Sequence, residues 1–193
     1  MKLSLLTILL GAGLSVPQIY GLARPKDFAA NVRRFPRNYP LGVILMMVAT
    51  GWFVWIVNQE PIADFSAYKP AMLAGFTAVG VLSCVFVRDF LAARALAVIF
   101  LLLAKMMVDT GRPYLPTVIF HAQPGETSWV LINQALAYAF VLGGIWITIA
   151  PWRLRDWLEW FTSSDKIVRV TCTLRLAFDL FLITLGLTAF RGM

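Results

Sequence analysis

The stretch RLAFDLFLITLGLTAF, Arg175 to Phe190, places two opposite charges in a run that is otherwise soluble in lipid. On a helix the i, i+4 spacing sets Arg175 and Asp179 on one face, close enough to pair. Arginine's long stem lets its guanidinium reach most of the way to a membrane interface, whereas the short aspartate side chain cannot. A central Asp costs about 2.5–3.5 kcal/mol on insertion scales, so Asp179 is expected to face protein and to be paired or protonated. Two readings follow. Either the helix neutralises its own charge so that it can insert and pack, or Asp179 serves a proton- or ion-linked site or anchors a partner helix. The spacing recurs in AKMMVD, where Lys105 and Asp109 stand near the end of another apolar run.

Asn133 and Gln134 can donate and accept hydrogen bonds toward these charges or a ligand, although such amides more often join helices to one another. The connection DTGRPYLPTVIFHAQPGETSW carries Arg112, His121 and Glu126, with Asp109 at its start. One histidine with one nearby acid is no metal signature, and a single histidine in the chain excludes a multi-histidine metal or haem site. No phosphate-binding glycine loop, serine elbow or cysteine pair occurs. Gly11-x-Gly13 lacks the strand and third glycine of a nucleotide fingerprint. No catalytic residue, metal ligand set or cofactor is therefore expected.

These residues need positioning elements, and the composition says what kind. Of 193 residues 60% are hydrophobic and 14% charged. A soluble domain carries nearer a quarter charged residues, so lipid has to be the main solvent. Six runs approach the roughly 20 apolar residues that a spanning helix requires: Leu3–Leu22, Leu41–Asn58, Pro70–Val87, Phe90–Val108, Trp129–Ala150 and Ile167–Phe190. Pro17 is expected to kink the first or end it early. Ala71, Gly75, Gly80 and Cys84 suggest that the third packs centrally through small residues. Cys84 and Cys172 lie inside apolar runs and read as packing residues rather than a disulfide framework.

The formal charge of +7 is concentrated in loops flanking the apolar runs, which points to positive-inside topology rather than nucleic acid. Basic residues cluster in Gly21–Pro40, around Arg88 and Arg94, and in Pro151–Lys166; Gln59–Lys69 and Asp109–Ser128 hold only Lys69 and Arg112. That alternation predicts a single integral membrane domain over 1–193 in a bacterial inner membrane, with both termini periplasmic. The first run resembles a secretory signal, but Arg24, Lys26, Arg33, Arg34 and Arg37 behind it are hard to translocate, so it is read as a retained helix.

Two basic connections read as cytoplasmic interfacial helices. In PWRLRDWLEWFTSSDK, Leu154, Trp157, Leu158 and Phe161 share one face, with Trp152 and Trp160 adding aromatic surface. In RPKDFAANVRRFPRN, Phe28, Val32 and Phe35 form a shorter stripe. Pro25 and Pro151 each take a favoured first-turn position. Shifted by 126 residues, Pro25 overlies Pro151 and Phe35 overlies Phe161. Each unit thus reads apolar helix, proline, amphipathic helix, apolar helix. It resembles the small bacterial inner-membrane YjeT-like proteins, two-helix hairpins with a basic, aromatic-containing connection after a proline. The likeness is clearest over Trp129–Phe190 and looser over Leu3–Val57, which makes 1–58 and 129–193 candidate repeat units around a central hairpin at 70–108. The resemblance implies no chemistry and no active residues.

The expected fold is an all-α polytopic bundle of about six transmembrane helices with two cytoplasmic interfacial amphipathic helices. The expected function is a non-enzymatic membrane subunit or scaffold, embedded in the lipid bilayer and contacting other membrane-protein subunits or further copies of itself. The alternative is a small proton-, ion- or solute-linked transporter or channel using Asp179 and Arg175. An enzyme acting on lipid would need Asp109, His121 and Glu126 to converge.

Overall fold

A computed structural model describes residues 2–59, 68–114 and 129–191. Among the described residues the chain forms α1 (Leu3–Ala23), α2 (Pro25–Arg34), α3 (Tyr39–Gln59), α4 (Lys69–Phe86), α5 (Leu91–Gly111), α6 (Val130–Ile149), α7 (Pro151–Phe161) and α8 (Asp165–Leu187). Single 3₁₀ turns follow α2 at Phe35–Arg37 and α5 at Arg112–Tyr114. Six of the helices, α1, α3, α4, α5, α6 and α8, are long and apolar enough to cross a membrane. The chain is all-helical where described and reads as a multi-pass membrane protein. Helices are the expected solution, because each satisfies its backbone polar groups internally where no water is present.

The boundaries depart from the sequence reading in three instructive places. Pro17 does not end α1, which continues as helix to Ala23. The proline removes one bond, to the Gly13 carbonyl, but unwinding the following turn would expose several more polar groups to an apolar medium. Helix α5 begins at Leu91 rather than Phe90, because Phe90 takes a left-handed φ of 55° in the tight turn after α4. Helix α8 starts at Asp165, where Ser164 accepts a hydrogen bond from the Lys166 N–H at 3.4 Å, and its last residue is Leu187. Its midpoint is therefore residue 176, and Asp179 stands roughly 4–5 Å beyond the centre at 1.5 Å per residue.

The contacts group the chain into two compact units, Met1–Arg33 with Leu103–Val141 and Trp157–Met193, and Arg34–Leu102 with Leu142–Asp156. In the first, α1 and α8 run antiparallel in close contact. Glycines set their approach: a Cβ on Gly11 would lie 2.7 Å from Ile183 Cγ1, one on Gly186 2.6 Å from Ile8 Cγ1, and one on Gly21 2.6 Å from Cys172 Sγ. Leu6, Leu10 and Leu182 meet Met107 of α5 and Ala137 of α6 in the middle of this unit. Leu3, Val130, Leu185 and Phe190 close one end.

In the second unit, α3 packs on α4, where a side chain on Gly80 would collide with Thr50. The Tyr39 hydroxyl donates to the Cys84 carbonyl at 2.9 Å. Gly42 lets α3 approach α5, its Cβ position lying 2.7 Å from the Ala92 nitrogen. Helix α4 does not pack centrally as its small residues suggested. Only 6% of its apolar stretch is buried, and no described residue lies within 4 Å of a Cβ placed on Gly75. Gly80 meets Thr50 of α3, Cys84 joins Met46 of α3 and Leu91 and Ala95 of α5 in one cluster, and the described residues leave the rest of the helix largely uncovered. Both cysteines are free and buried, as packing residues are.

Candidate functional site

In the first unit, α1, α6 and α8 frame a pocket of about 540 Å³. Leu14 and Gln18 come from α1, Leu136 and Phe140 from α6, and Leu174, Arg175, Phe178 and Asp179 from α8. The antiparallel α1–α8 pairing brings Gln18 beside Arg175 and Asp179, and the glycine contacts hold the two backbones close enough to bury both short polar side chains. Asp179 is 3% exposed and Gln18 8%. Asp179 Oδ2 and Gln18 Oε1 have no hydrogen-bond partner among the described residues. Two buried acceptors thus line one apolar pocket without a hydrogen bond among the described residues, a costly arrangement in a medium that offers no water.

The expected Arg175–Asp179 ion pair is not formed. Ion pairs among the described residues include Lys105–Asp109 and Arg155–Asp156, but none joins Arg175 to Asp179. Arg175 instead lays its guanidinium 4.7 Å from the centre of the Phe161 ring at the end of α7. The physical reason is reach. The four-atom arm of Arg175 extends toward the α7 end of the unit and gains a cation–π contact there, while Asp179 is held inward by its short stem. Both nonetheless line the same pocket.

The other candidates fall elsewhere. Lys105 Nζ and Asp109 Oδ2 pair at 2.5 Å, with side chains 38% and 52% exposed, so this pair is formed as the spacing suggested. Asn133 Nδ2 donates to the Met107 carbonyl at 3.3 Å and joins α6 to α5, the bland role proposed for it. Asn133 Oδ1 and Gln134 Oε1 are buried next to Gly111 without a hydrogen-bond partner among the described residues and are not among those lining the pocket. Arg112 is exposed in the turn after α5; His121 and Glu126 lie outside the described residues.

At the α7 end of the unit, Phe28 packs edge-on against Tyr20, their ring centres 6.2 Å apart. Arg33 donates through Nε to Thr162 Oγ1 at 2.8 Å and through Nη2 to the Thr162 carbonyl. These bonds tie the connection after α1 to the connection before α8. Trp152, Trp157 and Trp160 are exposed, and Phe35 is half-buried. Gln18, the residue that sequence reasoning missed, had one visible signal: a lone amide inside an apolar run, directly after Pro17. No protein-family model, no curated protein and no solved structure matches this chain.

Proposed function

We propose that the chain is a non-enzymatic, solute-linked membrane protein that binds a small polar or charged solute in the α1–α6–α8 pocket, with Asp179 and Arg175 as its principal charged groups. One observation carries this reading: among the described residues, Asp179 and Gln18 line a pocket with buried acceptors that make no hydrogen bond, while the cation on that wall, Arg175, rests on an aromatic ring. Intramembrane ionisable residues facing a cavity are the usual mark of a solute or ion path. The pocket volume falls in the range of small-molecule sites, about 300–1,000 Å³.

The setting for this activity is a bacterial inner membrane, with both termini periplasmic and α2 and α7 lying as amphipathic helices in the cytoplasmic headgroups. The Arg33–Thr162 bonds support placing those two basic connections on one side. The stripe of Leu154, Leu158 and Phe161 and the exposed tryptophans suit an interfacial position. A duplicated YjeT-like hairpin is a compatible origin for the two helix–proline–helix units.

The test is electrical recording on a supported membrane carrying the purified protein, challenged in turn with amino acids, amines, organic acids, sugars and metal salts. At least one class should give a signal that Asp179→Asn abolishes while the protein stays folded. Silence of the wild-type protein toward every class would overturn the reading.

A subunit or scaffold role is favoured by a separate feature, the uncovered surface of α4 around Gly75. Another membrane protein or a second copy would cover it. Native mass spectrometry after gentle extraction tests this, and a strictly monomeric species in every preparation would sink it.

A further inference from the structure

The pocket specifies more than a polar solute, and we infer that its ligand is a free zwitterion with an apolar body, in the class of the apolar α-amino acids. The inference rests on the solute-binding reading above and names its substrate class.

Three features converge. First, Asp179 Oδ2 and Gln18 Oε1 are acceptors in need of donors, both buried and both on the pocket wall. A primary ammonium supplies three N–H donors from one atom and a charge opposite to the carboxylate. Second, Arg175 lines the same wall four residues before Asp179, about one turn of helix away, and makes no ion pair among the described residues. A cation alone would meet repulsion from this guanidinium. A ligand that also carries an anionic oxygen group gives Arg175 a carboxylate to hold, and the pocket and ligand are then each neutral overall. Third, the remaining wall is Leu14, Leu136, Phe140, Leu174 and Phe178, which would strip water from an apolar side chain but not from a polar one.

A membrane lipid such as phosphatidylethanolamine also joins a primary ammonium to an anionic group, but the order of charges in the pocket opposes it. Arg175 turns toward Phe161 and the α7 end, and Asp179 lies deeper along α8. The ligand's anionic group must therefore lie nearer that end and its ammonium deeper. A lipid in the leaflet at that end presents the reverse order, with its ammonium outermost, and one in the opposite leaflet would have to sink its headgroup roughly 12 Å below the Leu187 end of α8 to reach Asp179.

Binding is to be measured by calorimetry on the full chain in phosphatidylcholine nanodiscs, which contain no primary ammonium. The probes are L-leucine and L-phenylalanine, with 3-methylbutylamine lacking the carboxylate, 4-methylpentanoate lacking the ammonium, and L-serine lacking the apolar body. L-Leucine and L-phenylalanine should bind, and each of the three stripped probes should bind about tenfold or more weakly. Asp179→Asn and Arg175→Gln should each weaken L-leucine to the level of the matching stripped probe. Equal binding of the amine alone or of serine would overturn the inference. So would a response found only when phosphatidylethanolamine is built into the disc, which would assign the site to lipid. A wild-type protein that responds to sugars or metal salts but not to these amino acids would sink the zwitterion while leaving the solute-binding reading intact. Silence toward every class would sink both.

Discussion

Gly11 lies directly against the backbone of Asp179: a Cβ added at Gly11 would stand 2.8 Å from the Asp179 carbonyl oxygen. The contact is with main chain and with the branched Ile183, so neither can rotate away as a flexible side chain would. The position of Asp179 in its pocket therefore depends on a residue on another helix that has no side chain at all.

Gly11→Ala should force α1 and α8 apart and destabilise the protein by about 1–3 kcal/mol, the usual cost of overpacking. Gly13→Ala, with nothing within 4 Å of the new Cβ, should stay within about 0.5 kcal/mol of the parent. Thermal unfolding in detergent compares the two. Equal destabilisation by both would show that helix propensity rather than the α1–α8 approach governs these sites.

Asp179→Leu should leave stability unchanged or raise it by about 1–3 kcal/mol, because it removes a buried acceptor that has no donor. Solute binding should be lost in the same variant, a trade of function for stability. A double-mutant cycle between Asp179 and Arg175 should give less than about 0.5 kcal/mol, while Arg175 with Phe161 should give about 0.5–2 kcal/mol. A larger coupling to Asp179 than to Phe161 would restore the ion pair that the spacing suggested.

Arg33→Met should release α2 from α7 by removing both bonds to Thr162. Hydrogen bonds to charged groups contribute about 1.5–3 kcal/mol, so amide exchange across Lys26–Arg34 should quicken by about one to two orders of magnitude. Unchanged exchange in this segment would mean that Phe28 packing alone holds α2 in place.

Asp109→Asn should change stability by less than about 0.5 kcal/mol. Its pair with Lys105 is exposed and runs in the weaker i, i+4 order, with the cation nearer the N-terminus. A loss above about 1.5 kcal/mol in a denaturation series would show that the carboxylate does more than neutralise a neighbour.

The six apolar helices were legible in the sequence because a membrane allows few alternatives. About 20 apolar residues at 1.5 Å each match the hydrocarbon thickness, and a continuous apolar run of that length satisfies its own backbone inside lipid as a helix. The residues worth watching were legible for the same reason, since Asp179 and Arg175 stand out against an apolar background. Their partners were not. The i, i+4 rule counts only neighbours on one helix, and Arg175 found Phe161 on another. Gln18 acquired its meaning only when α1 and α8 paired antiparallel and set it beside Asp179. Glycine spacing showed that some helices approach closely without showing which. Gly75 marked α4 as a packing helix and meets no other described residue within 4 Å of a Cβ, while Gly11, Gly21 and Gly186 set the close α1–α8 approach in the first unit. Hydropathy is a property of each segment and can be read from that segment alone. Whether a buried charge has a partner depends on which helices meet, and only the tertiary structure decides that.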